Sequence, residues 1–229
     1  MNLYFILEGE KTEVLLYPKW ISYILPHFKQ VDFEKQAAEN NFYIFSGGGI
    51  PSIYKHTVNA IKNINDNPVF DKLIVCLDGE EIGVEARLSQ IKDYIANSNV
   101  ILNNTCEIEF VIQNVCIETW FLGNRKIVKK IPEGLLLRKF IAHYNITLND
   151  PENMPNIEGF RNNAHFHYAY FKEILREHKL YYQKSNPSLV MEKSFFEELE
   201  KRVSETEHLP SFKHLLTLLY EIKTNHPQK

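Results

Sequence analysis

The sequence predicts an α/β fold in which a mostly parallel, four-stranded sheet is flanked by helices and followed by a mainly helical C-terminal region. Two observations support this prediction. Four short apolar runs occur in the first half of the chain, and the stretches between them have apolar residues at helical spacing. Strands that alternate with helices form βαβ units, whose right-handed crossovers give a parallel sheet.

The predicted strands are short apolar runs bounded by turn residues, at residues 3–7, 42–45, 72–77 and 108–112. Runs of this kind are typical of strands that are buried on both faces. Helices are predicted at residues 13–25, 51–64 and 81–96, although Pro18 indicates that the first helix begins late or kinks. Beyond a predicted surface loop at 149–163, three further helices are expected at 164–178, 192–203 and 211–223.

Composition limits the classes of function. The chain has 229 residues, with 26 basic and 29 acidic side chains, so no whole-chain positive field is available to hold nucleic acid. Any contact with DNA or RNA must therefore be local or shared with a partner. The three cysteines indicate free thiols in a reducing compartment. Because no signal peptide and no apolar run of about 20 residues is present, we expect a cytoplasmic protein that does not bind membranes.

Acidic residues follow three of the four predicted strands. Glu8 follows the first strand directly, and Asp78 and Glu80 follow the third. Glu118 lies a few residues beyond the fourth, and Glu13 is close behind Glu8. Ligands of open parallel sheets bind at the carboxyl ends of the strands, so these carboxylates are expected to converge. Converging carboxylates need a cation, and hard oxygen ligands suit Mg²⁺ or Mn²⁺.

Each of these residues also has a structural interpretation. An acidic residue at a strand end is usually solvated or caps a helix. Glu118 lies in the apolar stretch 115–122, where a carboxylate is either buried with a partner or faces a site. Lys184 could stabilise negative charge on a phosphate, yet a lone lysine normally faces solvent.

Two acidic motifs resemble those of Toprim domains, which occur in topoisomerases, bacterial primases, small RNA-maturation nucleases and the overcoming-lysogenization-defect (OLD) nucleases. The motifs are Glu-Gly-x-x-Thr-Glu at 8–13 and Asp-x-Glu at 78–80. The usual second motif is Asp-x-Asp, so Glu80 departs from the pattern by one methylene. Ile-Glu-Thr-Trp-Phe-Leu at 117–122 is similar to a segment of RloB-like Toprim proteins, and the segments 182–184 and 210–212 also resemble that group.

The resemblance implies a Toprim-like domain at residues 1–130, with a mainly helical region at 131–229 packed on it. It also implies a nuclease of phage defence or abortive infection that needs Mg²⁺ or Mn²⁺ to hydrolyse phosphodiester bonds in DNA or RNA. Glu8 would be a metal ligand or general base, and Asp78 and Glu80 would hold the metal. Glu13 and Glu118 would complete or orient the site. Relatives of this kind often work with an ATPase, so a defence-system partner is expected, and the chain could also form a homo-oligomer.

Two other classes of function remain open. The first is a non-enzymatic module of a defence complex that binds a nucleotide or a protein at the same sheet edge, an alternative that Glu80 favours. The second is phosphoryl transfer on a nucleotide rather than on a polymer.

Three further motifs have alternative interpretations. The segment 46–49 (Ser-Gly-Gly-Gly) could hold a phosphate on its backbone N–H groups, but a flexible turn is favoured. His165 and His167 point apart on a helix, so a surface or packing role is favoured over metal binding. The basic run at 125–139 could contact a nucleic-acid backbone or form a solvated face, with no preference between the two.

Overall fold

The computed structural model describes residues 1–227 and has a parallel sheet of five strands, not four. The strand order is β2-β3-β1-β4-β5. The strands are β1 (Asn2–Leu7), β2 (Lys29–Val31), β3 (Asn41–Ser46), β4 (Lys72–Asp78) and β5 (Glu107–Gln113). The α/β class and the four predicted strands are therefore confirmed, and the strand count is corrected by one.

The additional strand is β2, which pairs only with β3 at the edge of the sheet. It has three residues, and Lys29 and Gln30 are exposed. An edge strand needs only one hydrogen-bonded neighbour and can keep polar side chains in water. For this reason it lacks the apolar run from which the other four strands were predicted.

The central strand β1 pairs with β3 on one side and with β4 on the other, and all six of its residues are buried. Its last residue, Leu7, lies opposite Ser46 and Cys76. The backbone N–H of Glu8 continues the ladder by donating to the Cys76 carbonyl at 3.0 Å. Since the strands are parallel, their carboxyl ends share one edge of the sheet.

Three helices connect the strands: α1 (Thr12–Ile24), α2 (Ser52–Asp66) and α3 (Gly83–Asn97). The chain moves from β1 to β2 in one direction along the sheet, and from β3 to β4 and then β5 in the other. Right-handed crossovers therefore place α1 on one face and α2 and α3 on the opposite face. The helix α1 runs continuously through Pro18 and does not begin after it.

The chain divides into two compact units. The first comprises Met1–Leu77, Glu85–Ile112 and the described residues from Thr217 onward, and it contains most of the sheet. The second comprises Asp78–Val84 and Gln113–Leu216. It contains α4 (Ile117–Phe121), α5 (Leu135–His143), α6 (Asn163–Arg176), α7 (Lys193–Glu205) and the beginning of α8 (Pro210–Asn225). No helix within residues 1–227 is both long and apolar enough to cross a membrane.

The segment predicted as a surface loop at 149–163 is partly buried. Asp150 and Glu152 are both buried, and each accepts a hydrogen bond from the beginning of α8. Asp150 Oδ1 accepts from the Leu209 N–H at 3.0 Å, and the Glu152 carboxylate accepts from the Ser211 N–H and hydroxyl. The first N–H groups of a helix lack intrahelical partners. These two carboxylates act as hydrogen-bond acceptors at the beginning of α8.

Candidate functional site

In the first unit, the turn after β1 contains two of the predicted ligands. Glu8 is half-buried, and Glu13 is only 6% exposed in the first turn of α1. Gly9 makes room for Glu13, because a Cβ at Gly9 would lie 1.6 Å from Glu13 Oε2. A side chain at position 9 would displace the Glu13 carboxylate from this turn. The glycine therefore explains how a buried carboxylate fits against the end of β1.

The charge of Glu13 acts on the end of β4. Burial raises the pKa of the Cys76 thiol, and Glu13 raises it further, while a hydrogen bond with Tyr17 lowers it. Such an effect requires Glu13 to lie near Cys76, two residues before the end of β4. Glu13 is therefore a buried acidic group near the end of β4.

The glycine-rich segment after β3 is at the same edge. Two of its N–H groups are used by the chain itself, because Gly47 donates to the Leu7 carbonyl at 2.7 Å and Gly49 to the Glu8 carbonyl at 3.1 Å. Gly48 and Gly49 have φ values of 68° and 76°, which favour glycine. These hydrogen bonds favour the interpretation of the segment as a tight turn rather than as a phosphate-binding loop.

In the second unit, the turn Asp78–Glu80 is fixed to the connection between β5 and α4. Gly79 donates to the Gln113 carbonyl and Glu80 to the Val115 carbonyl, each at 2.8 Å. Glu80 has a φ of 46°, a left-handed conformation that costs a non-glycine residue roughly 1 kcal/mol. Asp78 is half-buried and Glu80 is exposed. The backbone therefore holds Glu80 outward in a strained turn, directly after a strand end.

Glu118 is 1% exposed in α4 and interacts with two polar groups. Its Oε1 accepts a hydrogen bond from the Tyr182 hydroxyl at 3.1 Å and lies 3.6 Å from Lys184 Nζ. Burial raises the pKa of Cys116 well above its ordinary value, and Glu118 and then Asp78 raise it further. Two of the predicted acidic residues, Glu118 and Asp78, therefore lie near one thiol within the second unit.

Lys184 is held at the surface by this buried carboxylate. Its side chain is 56% exposed, and Nζ also lies 6.0 Å from the centroid of the Tyr168 ring, within the range of a cation–π contact. Tyr168 in turn is 6.0 Å from the ring of Tyr182. Lys184 therefore presents a positioned ammonium group to solvent. A buried carboxylate that contacts a lysine and a tyrosine favours an orienting role for Glu118 over metal ligation.

Three of the six basic side chains in the predicted run at 125–139 form ion pairs within the second unit. Arg125 pairs with Glu205, and Lys126 Nζ lies 3.3 Å from Glu198 Oε1. Lys129 contacts Glu133 at 3.0 Å and Glu177 at 3.5 Å. For Arg125, Lys126 and Lys129, these ion pairs favour the interpretation of a solvated face over a nucleic-acid interface.

His167 is fully buried and has a packing role. Its Nε2 lies 3.1 Å from the Met154 carbonyl, which can only accept, so Nε2 carries the proton. Nδ1 then accepts from the Thr119 hydroxyl at 2.8 Å. Burial lowers the pKa of His167 to about 4, which keeps the ring neutral. His165 is exposed on the same helix, so the two histidines do not form a metal site.

Two buried ionisable groups were not identified from the sequence. Burial raises the pKa of Glu152 to about 7, and the hydrogen bonds from Ser211 and the charge of Asp150 act on it secondarily. Arg202 is fully buried, and its Nη2 donates to the carbonyls of Ile146 and Asn149. Burial lowers the pKa of Arg202 to about 10. The side chains of Glu152 and Arg202 lie in polar stretches of sequence, where nothing predicts burial.

The carboxylates at the strand ends have the hard oxygen donors that Mg²⁺ and Mn²⁺ prefer. Across residues 1–227, however, no three His, Cys, Asp or Glu side chains come together as a ready-made metal-binding group. The donor chemistry therefore fits a divalent cation, whereas the arrangement of the side chains is not that of a preformed site. No family model, no curated protein and no solved structure matches the chain.

Proposed function

We propose that this chain is a metal-dependent nuclease that hydrolyses phosphodiester bonds in DNA or RNA. The observation that supports this proposal best is the pair of Glu118 and Lys184. A buried carboxylate holds a half-exposed ammonium group in the same unit as Asp78, and both carboxylates act on Cys116. A positioned cation beside acidic residues is the combination that phosphodiester hydrolysis requires.

Glu8, Glu13, Asp78 and Glu80 are the proposed ligands of Mg²⁺ or Mn²⁺. When bound, the metal supplies Lewis-acid polarisation of the phosphate and an activated water. Glu80 is the exposed member of this set, and its turn is the one with a strained backbone.

The remaining roles belong to the chain's own side chains. Lys184 offsets the negative charge that develops on the phosphate, because its ammonium group is exposed and fixed in position. Glu118 orients Lys184 and is itself held by the hydroxyl of Tyr182. Glu8, if it is not a ligand, acts as the general base.

The proposed cellular role is phage defence or abortive infection in the cytoplasm, and it rests on the resemblance to RloB-like and OLD-type Toprim proteins. The proposal includes a partner, either an ATPase or another defence protein, and leaves room for a homo-oligomer. Neutralisation of Arg125, Lys126 and Lys129 supports a need for a partner, since these side chains offer little free positive charge to a polymer.

The alternative proposal is a non-enzymatic module that binds a nucleotide or a protein. One observation favours it: no three ligating side chains are grouped within residues 1–227. Incubation of the purified protein with plasmid DNA and with structured RNA, in Mg²⁺, Mn²⁺ or EDTA, separates the two functions. Cleavage that EDTA abolishes supports the nuclease. Calorimetric binding of a nucleotide without cleavage of either polymer supports the binding module.

A further inference from the structure

A groove of about 450 Å³ lies on the first unit between α2 and α3. These two helices lie on the same face of the sheet, as their crossovers require. The groove is lined by Lys55, Val58, Asn59, Lys62, Tyr94, Asn97 and Ser98. Its volume is within the range of sites that bind small ligands.

The α2 side of the groove is one face of that helix. Residues 55, 58, 59 and 62 are spaced i, i+3, i+4 and i+7, which places them along one stripe. Val58 is buried and forms the floor, whereas Lys55 and Lys62 are exposed. Seven residues of helix separate the two lysines by about 10 Å along the axis. The floor is therefore apolar, with a cation near each end.

The two lysines differ from Lys126 and Lys129 of the second unit. Within residues 1–227, neither Lys55 nor Lys62 forms a salt bridge, whereas Lys126 and Lys129 each contact a glutamate. The amide and hydroxyl groups of Asn59, Asn97 and Ser98 add neutral hydrogen-bonding partners. The groove thus offers positive charge that the chain itself does not neutralise.

An aromatic ring faces the groove from α3. Tyr94 is 41% exposed, and its ring centroid lies 5.5 Å from that of Tyr54. Two side chains of α3 hold Tyr54 in place, because its hydroxyl accepts from Arg87 at 3.1 Å and contacts Gln90 at 3.2 Å. Tyr94 is therefore a supported and partly exposed ring that lines the same groove as the two lysines, which is an arrangement that suits stacking on a base.

We infer that this groove binds single-stranded nucleic acid, with backbone phosphates at Lys55 and Lys62 and a base stacked on Tyr94. Unpaired lysines, a stacking ring and amide groups together match the chemistry of a single strand, whose bases are exposed. A duplex hides its base faces and gives Tyr94 nothing to stack on. This binding goes beyond the proposed cleavage activity and does not require a metal.

The test is fluorescence anisotropy with short labelled RNA and DNA strands in EDTA, over a series of salt concentrations. Affinity falls as salt rises, and the double variant Lys55→Gln with Lys62→Gln should make this dependence shallower. The slope of log affinity against log salt should decrease in magnitude by about 1.4, because each lost phosphate contact contributes about 0.7. Tyr94→Ala should weaken binding by roughly 5- to 100-fold, and Tyr94→Phe should retain it.

A matched control replaces two exposed lysines of the same unit, Lys19→Gln with Lys35→Gln, and should leave affinity and slope unchanged. Neither control lysine forms a salt bridge among the described residues. Equal slopes for the groove and control variants, no effect of Tyr94→Ala, or no binding by the wild type would each overturn the inference. Cleavage is measured separately, so binding without cleavage rejects only the nuclease, and cleavage without any effect of the groove variants on binding rejects only the groove.

Discussion

Lys184 Nζ lies 3.6 Å from Glu118 Oε1, and the two side chains differ sharply in exposure: 56% for the lysine and 1% for the glutamate. A half-exposed ammonium is well solvated, so the pair adds little to stability through the lysine. The buried carboxylate, in contrast, needs its partners. The asymmetry means that the buried Glu118 carboxylate depends on this contact more than the half-exposed lysine does.

If Glu118 positions Lys184, Glu118→Gln and Lys184→Gln should reduce the cleavage rate to a similar extent. Glutamine can still accept from Tyr182, so the Glu118→Gln protein should remain folded. The double variant should be no slower than the slower single variant, because residues that act as a unit are not additive. Single-turnover cleavage rates measure this. Fully multiplicative losses in the double variant would show that the two residues act independently.

Asp78→Ala should abolish cleavage, because loss of a direct ligand removes both the metal and the activated water. The fold should survive, and it can gain stability without metal as repulsion between carboxylates is relieved. Glu85→Ala, in the exposed first turn of α3, is the matched control and should cleave normally. Equal cleavage by the wild type and Asp78→Ala would reject the mechanism and favour the binding module.

Glu80→Asp restores the usual Toprim motif and tests the departure at this position. If Glu80 is a working ligand, activity should hold or rise, since the shorter side chain keeps its charge. Metal titration of the cleavage rate reports the effect as a change in the concentration of Mn²⁺ needed for half-maximal rate. A large loss of activity would mean that the site depends on the extra methylene of Glu80.

Glu152 should make the protein less stable as pH rises from about 4.5 to about 7. Its folded pKa is about 7, above the ordinary 4.5, so the folded state binds more protons than the unfolded state in this window. The loss is on the order of 3 kcal/mol. Denaturant unfolding at several pH values should show that Glu152→Gln removes this contribution. An unchanged pH profile in the variant would contradict the prediction.

The titration of His167 should change the folding stability in the opposite direction to that of Glu152. The folded pKa of His167 is about 4, below the ordinary 6.5, so the folded state binds fewer protons and stability should rise from pH 4 to 6.5. In the wild type this rise offsets part of the loss from Glu152, and in Glu152→Gln it should become visible. Imidazole ¹⁵N spectra provide a direct measurement, with the Nε2–H tautomer persisting at pH 5. A charged ring at pH 5 would disprove the burial argument.

A fragment of residues 1–145 should be poorly soluble. The residues of α8 from Thr217 belong to the first compact unit, and Leu218, Leu219 and Ile222 are buried there. The fragment lacks them and would expose the apolar surface that they cover. Cooperative thermal unfolding of a monodisperse fragment would contradict this expectation.

The four strands with apolar runs and six of the eight helices could be predicted from sequence because burial and periodicity are local signals, whereas α4 and α5 were not predicted. Residues 3–7 are apolar throughout since β1 is covered on both faces, and α6, α7 and α8 begin and end within a few residues of their predicted bounds. The acidic motifs at Glu8 and Asp78 could also be identified from the sequence, because each directly follows a predicted strand. A parallel sheet places such strand ends at one edge. The edge strand β2 gave no such signal.

Only the tertiary structure decided which polar groups are buried and what they contact. Lys184 is 66 residues from Glu118 in the sequence, so nothing local indicated their pairing. The same is true of Glu152 with Ser211, and of Arg125 with Glu205, which removed charge from a run that looked basic. Apolar patterning determines which faces are covered, whereas the partner of a polar side chain depends on chain segments that meet only after folding.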